Sequence, residues 1–336
     1  MKPLVAKKRV IVIGGSFAGL CSLRHLKQYD FDITLIEPKG YFEYTPGILH
    51  LLSGSKGDLV SPITPLALDA GAAKVIQGKF IGFDKAENSL TVEVFELNGV
   101  TTTEILKFDA AIICSGVPYT APIRASIKSP YPTFKDRLNE IENYLTKLSS
   151  AKHIVVSGGG LVGVELAAEL SVRLEKSLQS VTLITRSDLL ASLPPSAGKY
   201  ALEWLKKRKN VNLLLSDEIA NEEEINVDSP GILTTKSNKS IPADVYIDCT
   251  GRRPVSSRSP SVLGQLLTPF NKKGLIPVDQ FLRVMEGYCP SGAVVFAAGD
   301  VVEHNPGMVY LCVCMCAYVY VSGGRISLSG ESGDEE

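Results

Sequence analysis

The sequence is poor in the groups that hold metals and in the excess charge that nucleic acid demands. Its four histidines (His25, His50, His153, His304) form no pair at helical separation and its seven cysteines keep no zinc-like spacing, so no metal centre is expected. Lys and Arg number 35 against 36 Asp and Glu, a formal charge of −1. That balance offers no broad positive field to a phosphate backbone, and the run Lys206 to Lys209 reads as a solvated helix end, so nucleic acid is set aside. No apolar run reaches the ~20 residues of a spanning helix; Met308 to Val321 covers about half to two-thirds of that length. "MKPLVAKKR" enters an apolar β-branched run almost at once, which leaves no room for a signal peptide. A reducing, intracellular setting is expected, cytoplasmic or mitochondrial or at a membrane surface.

What the chain does have is glycine at informative places. "RVIVIGGSFAGLCSL", Arg9 to Leu23, runs from β-branched residues into Gly14-Gly15-Ser16-Phe17-Ala18-Gly19 and then into a helix-like pattern. A strand that ends this way points the backbone N–H groups of a helix N-terminus outward, where they favour a diphosphate. The first glycine permits the turn, the middle position (here Ser16) admits the ligand to the backbone, and Gly19 lets the helix pack on its strand. The next strand, "DITLIE", ends at Glu37, 18 residues beyond Gly19, where a carboxylate accepts the ribose hydroxyls of an adenosine. A solvated strand-end glutamate is the alternative.

The motif recurs. "HIVVSGGGLVGVELAAEL", His153 to Leu170, carries Gly158, Gly160 and Gly163 at full spacing, followed by an apolar helical face of Leu166, Ala167 and Leu170. "IICSG" and "IDCTG" each close a unit with an apolar strand and a small-residue turn, placing Cys114 and Cys249 at matching points as small buried side chains. Between Lys74 and Asp109, alternating segments read as β-hairpin strands inserted in the first unit. The proline-rich stretches Val117 to Pro132 and Pro254 to Pro269 are the expected crossings. The expected fold is therefore α/β with two Rossmann-like dinucleotide-binding domains, parallel sheets with helices and an inserted β-meander. The second domain (126–264) is nested between two parts of the first (1–125 and 265–324), with an acidic tail over 325–336.

Five segments in order, "VIVIGGSFAGL", "EPKGYFEYTPGILH", "GGGLVGVELAAEL" with "VTLITRS", "IDCTGRRP" and "VVFAAGDVVEH", resemble the two-dinucleotide-domain flavoproteins. Within these the chain is similar to the type II NADH dehydrogenases and the apoptosis-inducing-factor-like, ferroptosis-suppressor group. The resemblance implies FAD on the first unit, NADH or NADPH on the second, and quinone as the usual electron acceptor. It assigns Gly14, Gly15, Ser16, Phe17, Ala18, Gly19, Glu37, Pro38, Lys39, Pro46, His50, Phe80 (through its backbone), Ser115, Gly116, Gly299 and Asp300 to FAD. It assigns Gly158, Gly160, Gly163, Glu165, Arg186 and Gly251 to NAD(P)H, with Glu165 as the candidate catalytic side chain. For Glu165 a plain helix-dipole contact is the alternative.

Three departures stand out. His50 replaces a frequent arginine, which weakens any charge-assisted contact with the FAD diphosphate at neutral pH. Thr185-Arg186-Ser187 replaces the acidic residue that would hold an NADH ribose, leaving NADPH open. Residues 37–60 contain no cysteine, so a thiol relay of the disulfide-reductase kind is not expected there. The ending also differs. Met308 to Leu311 could open the expected helix, but alternating Val, Cys and Tyr follow, then a Ser, Gly and acidic tail, so the family's C-terminal interface domain is read as missing. Cys312, Cys314 and Cys316 are given no role. Two functions remain: an FAD-dependent NAD(P)H:quinone-type oxidoreductase, with peripheral membrane contact and unassigned oligomeric state, or an incompetent dinucleotide-binding or partner-binding remnant.

Overall fold

The computed structural model describes residues 6–54, 57–84, 86–96, 99–117, 119–124, 133–220, 225–226, 230–251, 269–272, 274–303, 319–322 and 325–328. Strand β1 (Lys8–Ile13) buries its last four residues, helix α1 (Phe17–Leu26) follows across Ser16, and β2 (Phe31–Glu37) returns parallel to β1. A continuous apolar run such as this suits a parallel strand covered on both faces. Next come β3 (Tyr41–Glu43), α2 (Ile48–Leu52), β4 (Val60–Pro62) and α3 (Ile63–Ala70), the last stopped by Gly71 in the left-handed region at φ +116°.

The meander is β5 (Lys74–Phe83), β6 (Ser89–Phe95) and β7 (Thr101–Lys107), joined to the edge of the sheet rather than separate from it: β5 pairs parallel with β2 at its start and antiparallel with β6 further on. Strand β8 (Ala110–Ile113) lies on the other side of β1.

The chain then leaves for a second sheet. Helix α4 (Phe134–Ser150) starts at a reciprocal cap in which Asp136 N–H donates to Thr133 Oγ1 while Thr133 N–H donates to Asp136 Oδ2. After it run β9 (His153–Ser157), α5 (Leu161–Arg173), β10 (Ser180–Thr185), α6 (Pro195–Lys206) and β11 (Val211–Leu215). The hairpin β12 (Gly231–Thr234) and β13 (Ser240–Ala243) leads into β14 (Val245–Asp248), giving the parallel order β11-β10-β9-β14. Then β15 (Val295–Ala297) rejoins the first sheet beside β8, completing the order β15-β8-β1-β2-β5-β6-β7. Finally β16 (Val319–Ser322) and β17 (Arg325–Leu328) pair antiparallel. Residues 325–328, expected in the tail from composition, are strand β17. The helix expected at Met308 and the three cysteines 312, 314 and 316 lie outside the described residues, as do most of both proline-rich crossings.

One apolar cluster spans the junction between the sheets. Tyr41, Ile48, Leu49, Leu52 and Val60 pack with Ile141, Val164, Leu166 and Leu170. Burying each such side chain contributes roughly 1.5–3 kcal/mol, so the two sheets are held together by a shared core and not by a tether alone.

Candidate functional site

The two glycine turns are copies of one backbone device. Gly14 N–H donates to Ile36 O and Gly158 N–H to Ile184 O, both at 2.8 Å, while Cys114 N–H donates to Ile13 O at 2.6 Å and Cys249 N–H to Ser157 O at 2.7 Å. Gly14 and Gly158 adopt φ of +107° and +116°, and a Cβ on either would stand 2.3 Å from the carbonyl oxygen of Cys114 or Cys249. A Cβ on Gly19 would stand 1.8 Å from Gly14 O, and one on Gly163 1.9 Å from Gly158 O. These four glycines are compulsory because strand, turn and helix touch through backbone there. Cys114 and Cys249 occupy equivalent places, but Cys114 is buried while Cys249 is half-buried at the cavity wall; desolvation pushes both thiols up to about 12, too high for a useful thiolate at neutral pH.

On the first copy Glu37 is buried at the strand end, where Gly15 N–H donates to Oε2 at 2.6 Å and Lys39 N–H to Oε1 at 3.0 Å. Each carboxylate oxygen accepts one backbone bond and keeps lone-pair capacity for a ribose hydroxyl. Lys39 Nζ stands 3.9 Å from the same carboxylate, and Pro38 O accepts from Gln77 Nε2 at 3.3 Å. Ser16 caps α1 by its backbone with no side-chain bond. Ser115 and Gly116 (φ +63°) form the turn after β8, and Ser115 N lies against Gly14. Gly299 (φ +83°) brings the second late motif onto α1: its Cβ would stand 3.1 Å from Ala18 Cβ, and Asp300 follows it. Phe80 is buried on β5 beside an irregularity in the β5–β6 register. Phe17 meets Phe42 and Tyr44 edge-on at ring-centroid distances of 5.4 and 5.7 Å, and Pro46 lies exposed in the turn that follows.

His50 lies on α2 and faces α5. Its ring accepts from Arg173 Nη2 at 3.0 Å and lies 3.4 Å from Glu169 Oε2. Helix α2 packs Leu49 and Leu52 into the shared core and brings His50 against α5. Ser53 Oγ also donates to Glu169, at 3.2 Å. Glu165 lies one turn earlier on α5; burial, and then the Glu169 carboxylate, raise its pKa above the ordinary value.

The second copy opens on a cavity of 460 Å³ lined by Gly158, Gly159, Gly160, Gly251, Arg186 and Asp248, among others. Gly160 has nothing within 4 Å of where a Cβ would be, so its backbone faces open space, as the middle position of a diphosphate loop requires. Gly251 (φ +110°) is likewise open. Asp217 and Glu218 also line this cavity. They were not anticipated from sequence, although "NLLLSDE" is a strand ending in carboxylates just as "DITLIE" is. Both cradles fit a dinucleotide: backbone donors, obligatory glycines and, on the first, a buried strand-end acid.

The model of the pyridine nucleotide-disulphide oxidoreductases matches residues 8–315. Ferroptosis suppressor protein 1 of Xenopus tropicalis is 28% identical over 334 residues, covering 96% of this chain and 82% of that protein. Apoptosis-inducing factor homolog B of Dictyostelium discoideum is 27% identical over 317 residues, covering 89% and 76%. Among solved structures, NDH2 from Plasmodium falciparum in complex with NADH superposes at a TM-score of 0.67 with 18% identity; 89% of this chain aligns, but it spans only 65% of that one. The chain belongs to the pyridine nucleotide-disulphide oxidoreductase family, a family of FAD- and NAD(P)H-dependent oxidoreductases, and is similar within it to the apoptosis-inducing-factor and ferroptosis-suppressor-like group.

Proposed function

We propose that this chain accepts hydride from a nicotinamide nucleotide on the second cradle and delivers electrons, through FAD on the first, to a quinone-type acceptor. The observation that carries the reading is the doubling of one backbone cradle, with the strand-end acid on one copy and the open cavity on the other. When bound, FAD supplies the hydride acceptance and electron delivery that side chains lack. The protein's part is to bind, orient and exclude water.

In this reading the Gly14–Gly19 turn and Ser115-Gly116 hold the FAD diphosphate and Glu37 its ribose, while Pro38, Lys39, Phe80, Pro46, Gly299 and Asp300 border the cofactor. Gly158, Gly160, Gly163, Gly251 and Arg186 serve the nicotinamide nucleotide. Glu165, whose raised pKa keeps it closer to protonation than a free glutamate, orients the nicotinamide end. Residues 1–125 with 265–324 form the FAD unit and 126–264 the NAD(P)H unit.

A direct small-molecule acceptor is favoured by the thiols. Residues 37–60 offer no cysteine, and Cys114 and Cys249 are held protonated. Quinones partition into lipid, so the exchange is placed at a membrane surface; among the described residues no helix is long and apolar enough to cross one. The test is spectroscopic. Purified protein should be yellow, bleach anaerobically with NADH or NADPH, and recover its colour on adding a short-chain ubiquinone. Colourless protein, or colour indifferent to both nucleotides, overturns the reading.

A further inference from the structure

The second cradle's strand ends carry a nucleotide preference, an inference that rests on the reading just given. Aligning the copies on Gly14 N–H to Ile36 O and Gly158 N–H to Ile184 O sets Thr185 in the place of Glu37. Glu37 offers a carboxylate there; Thr185 instead tucks its hydroxyl 2.6 Å from where a Gly159 Cβ would stand. The group that reads a free ribose 2′-hydroxyl and repels a 2′-phosphate is therefore gone.

The next residue, Arg186, lines the cavity with its side chain 72% exposed. Its Nε stands 3.5 Å from Glu218 Oε2, while Glu218 Oε1 stands 2.5 Å from Lys236 Nζ. Two cations thus share one carboxylate at the cavity edge. This corner is fixed in place. Asp217 accepts from the Ser237 hydroxyl and N–H and from Glu218 N–H, and Lys236 N–H donates to Glu218 O at 2.9 Å, so the β12–β13 turn is pinned to the end of β11. Of the other lining carboxylates, Asp248 accepts from the N–H and hydroxyl of Thr250. Asp188 is exposed on the Arg186 turn, where water and salt screen it.

We propose that Arg186, backed by Lys236, clamps the 2′-phosphate of NADPH, and that Glu218 is the place-holding counter-ion which the phosphate displaces from Arg186. A guanidinium meets a phosphate with paired, charge-assisted hydrogen bonds, and the displaced Glu218 retains Lys236.

Calorimetric titration of the purified holoprotein with NADP⁺ and with NAD⁺ tests this without turnover. The expected result is tighter binding of NADP⁺, with Arg186→Ala weakening NADP⁺ by about tenfold or more and NAD⁺ by less than about threefold. Glu218→Gln, which frees Arg186 and keeps the side-chain shape, should tighten NADP⁺ severalfold and leave NAD⁺ little changed. Equal losses for both nucleotides in Arg186→Ala, or tighter NAD⁺ than NADP⁺ in the unsubstituted protein, overturn the clamp. Failure to bind either nucleotide overturns the proposed function itself and is thereby distinguished.

Discussion

Arg137 and Glu43 form a two-pronged ion pair closed off from water: Nε donates to Oε2 and Nη2 to Oε1, each at 2.9 Å. Nη1 donates to Glu140 and Nη2 also to Pro122 O, both at 2.9 Å, so the guanidinium spends its donors on four acceptors. The pair ties β3, which follows the first nucleotide strand, to α4, which precedes the second. It lies beside the shared apolar core that joins the two sheets.

Removing one partner should be far worse than replacing both. Glu43→Ala leaves a charge buried without its main counter-ion, for which about 3–5 kcal/mol of destabilisation is expected. Glu43→Leu combined with Arg137→Met should recover much of that loss. Chemical denaturation of the three proteins measures it; a Glu43→Ala variant as stable as the parent would show the pair contributes nothing.

Tyr41, in the same junction, is buried with its hydroxyl lacking a hydrogen-bond partner among the described residues. Burial also raises its pKa, which keeps the phenol neutral. An unsatisfied buried hydroxyl costs roughly 1–3 kcal/mol, so Tyr41→Phe should match or exceed the parent in stability. A clear loss would mean that the hydroxyl has a partner, such as an ordered water.

The glycines separate folding from binding. Gly163→Ala drives a methyl to 1.9 Å from a backbone oxygen, and the helix cannot yield without leaving its strand. Gly160→Ala meets nothing within 4 Å. The first variant should be misfolded or strongly destabilised. The second should melt like the parent and bind nicotinamide nucleotides poorly, because its methyl occupies the approach of the diphosphate; normal nucleotide affinity in Gly160→Ala would argue against that loop as the site.

What sequence could disclose follows from what is local. Glycine spacing encodes the cradles because strand, turn and helix meet within ten residues, and Glu37 is legible because it ends the very next strand. Glu218 was not, since its importance depends on β11 lying beside β10, a neighbour relation that spacing does not carry. The contact of His50 with Arg173 and Glu169 was not legible for a similar reason: a five-residue helix has no periodicity strong enough to reveal which side faces α5. Arg137 belongs to a helix rich in charge, where nothing along the chain marks one arginine as buried.

Thiol chemistry offers an independent check on the electron path. With the thiols of Cys114 and Cys249 both pushed up to about 12, neither presents appreciable thiolate at pH 8. Native protein treated with iodoacetamide should carry label on the half-buried Cys21 well before the buried Cys114, and on Cys249, half-buried at the cavity wall, only slowly because of its raised pKa, as read by peptide mass. Rapid labelling of Cys249 would reopen a thiol relay at the second cradle.

Asp217 gives the pH dependence a sign. The Ser237 hydroxyl, above all, then the Thr235 hydroxyl and the N–H groups of Glu218 and Ser237, draws its pKa from 3.8 down to about 2 against the opposing effect of burial. A carboxyl whose folded pKa is depressed stabilises the folded state fully above its unfolded value and loses that contribution as pH falls through the folded one. Between about pH 4 and pH 2 the clasp between the β11 end and the hairpin should therefore weaken, loosening Lys236 and Glu218 together. Asp217→Asn removes the titrating group: its melting temperature should lie below the parent's at pH 7 and converge on it toward pH 2. Parallel curves over that window would show that Asp217 does not supply the clasp.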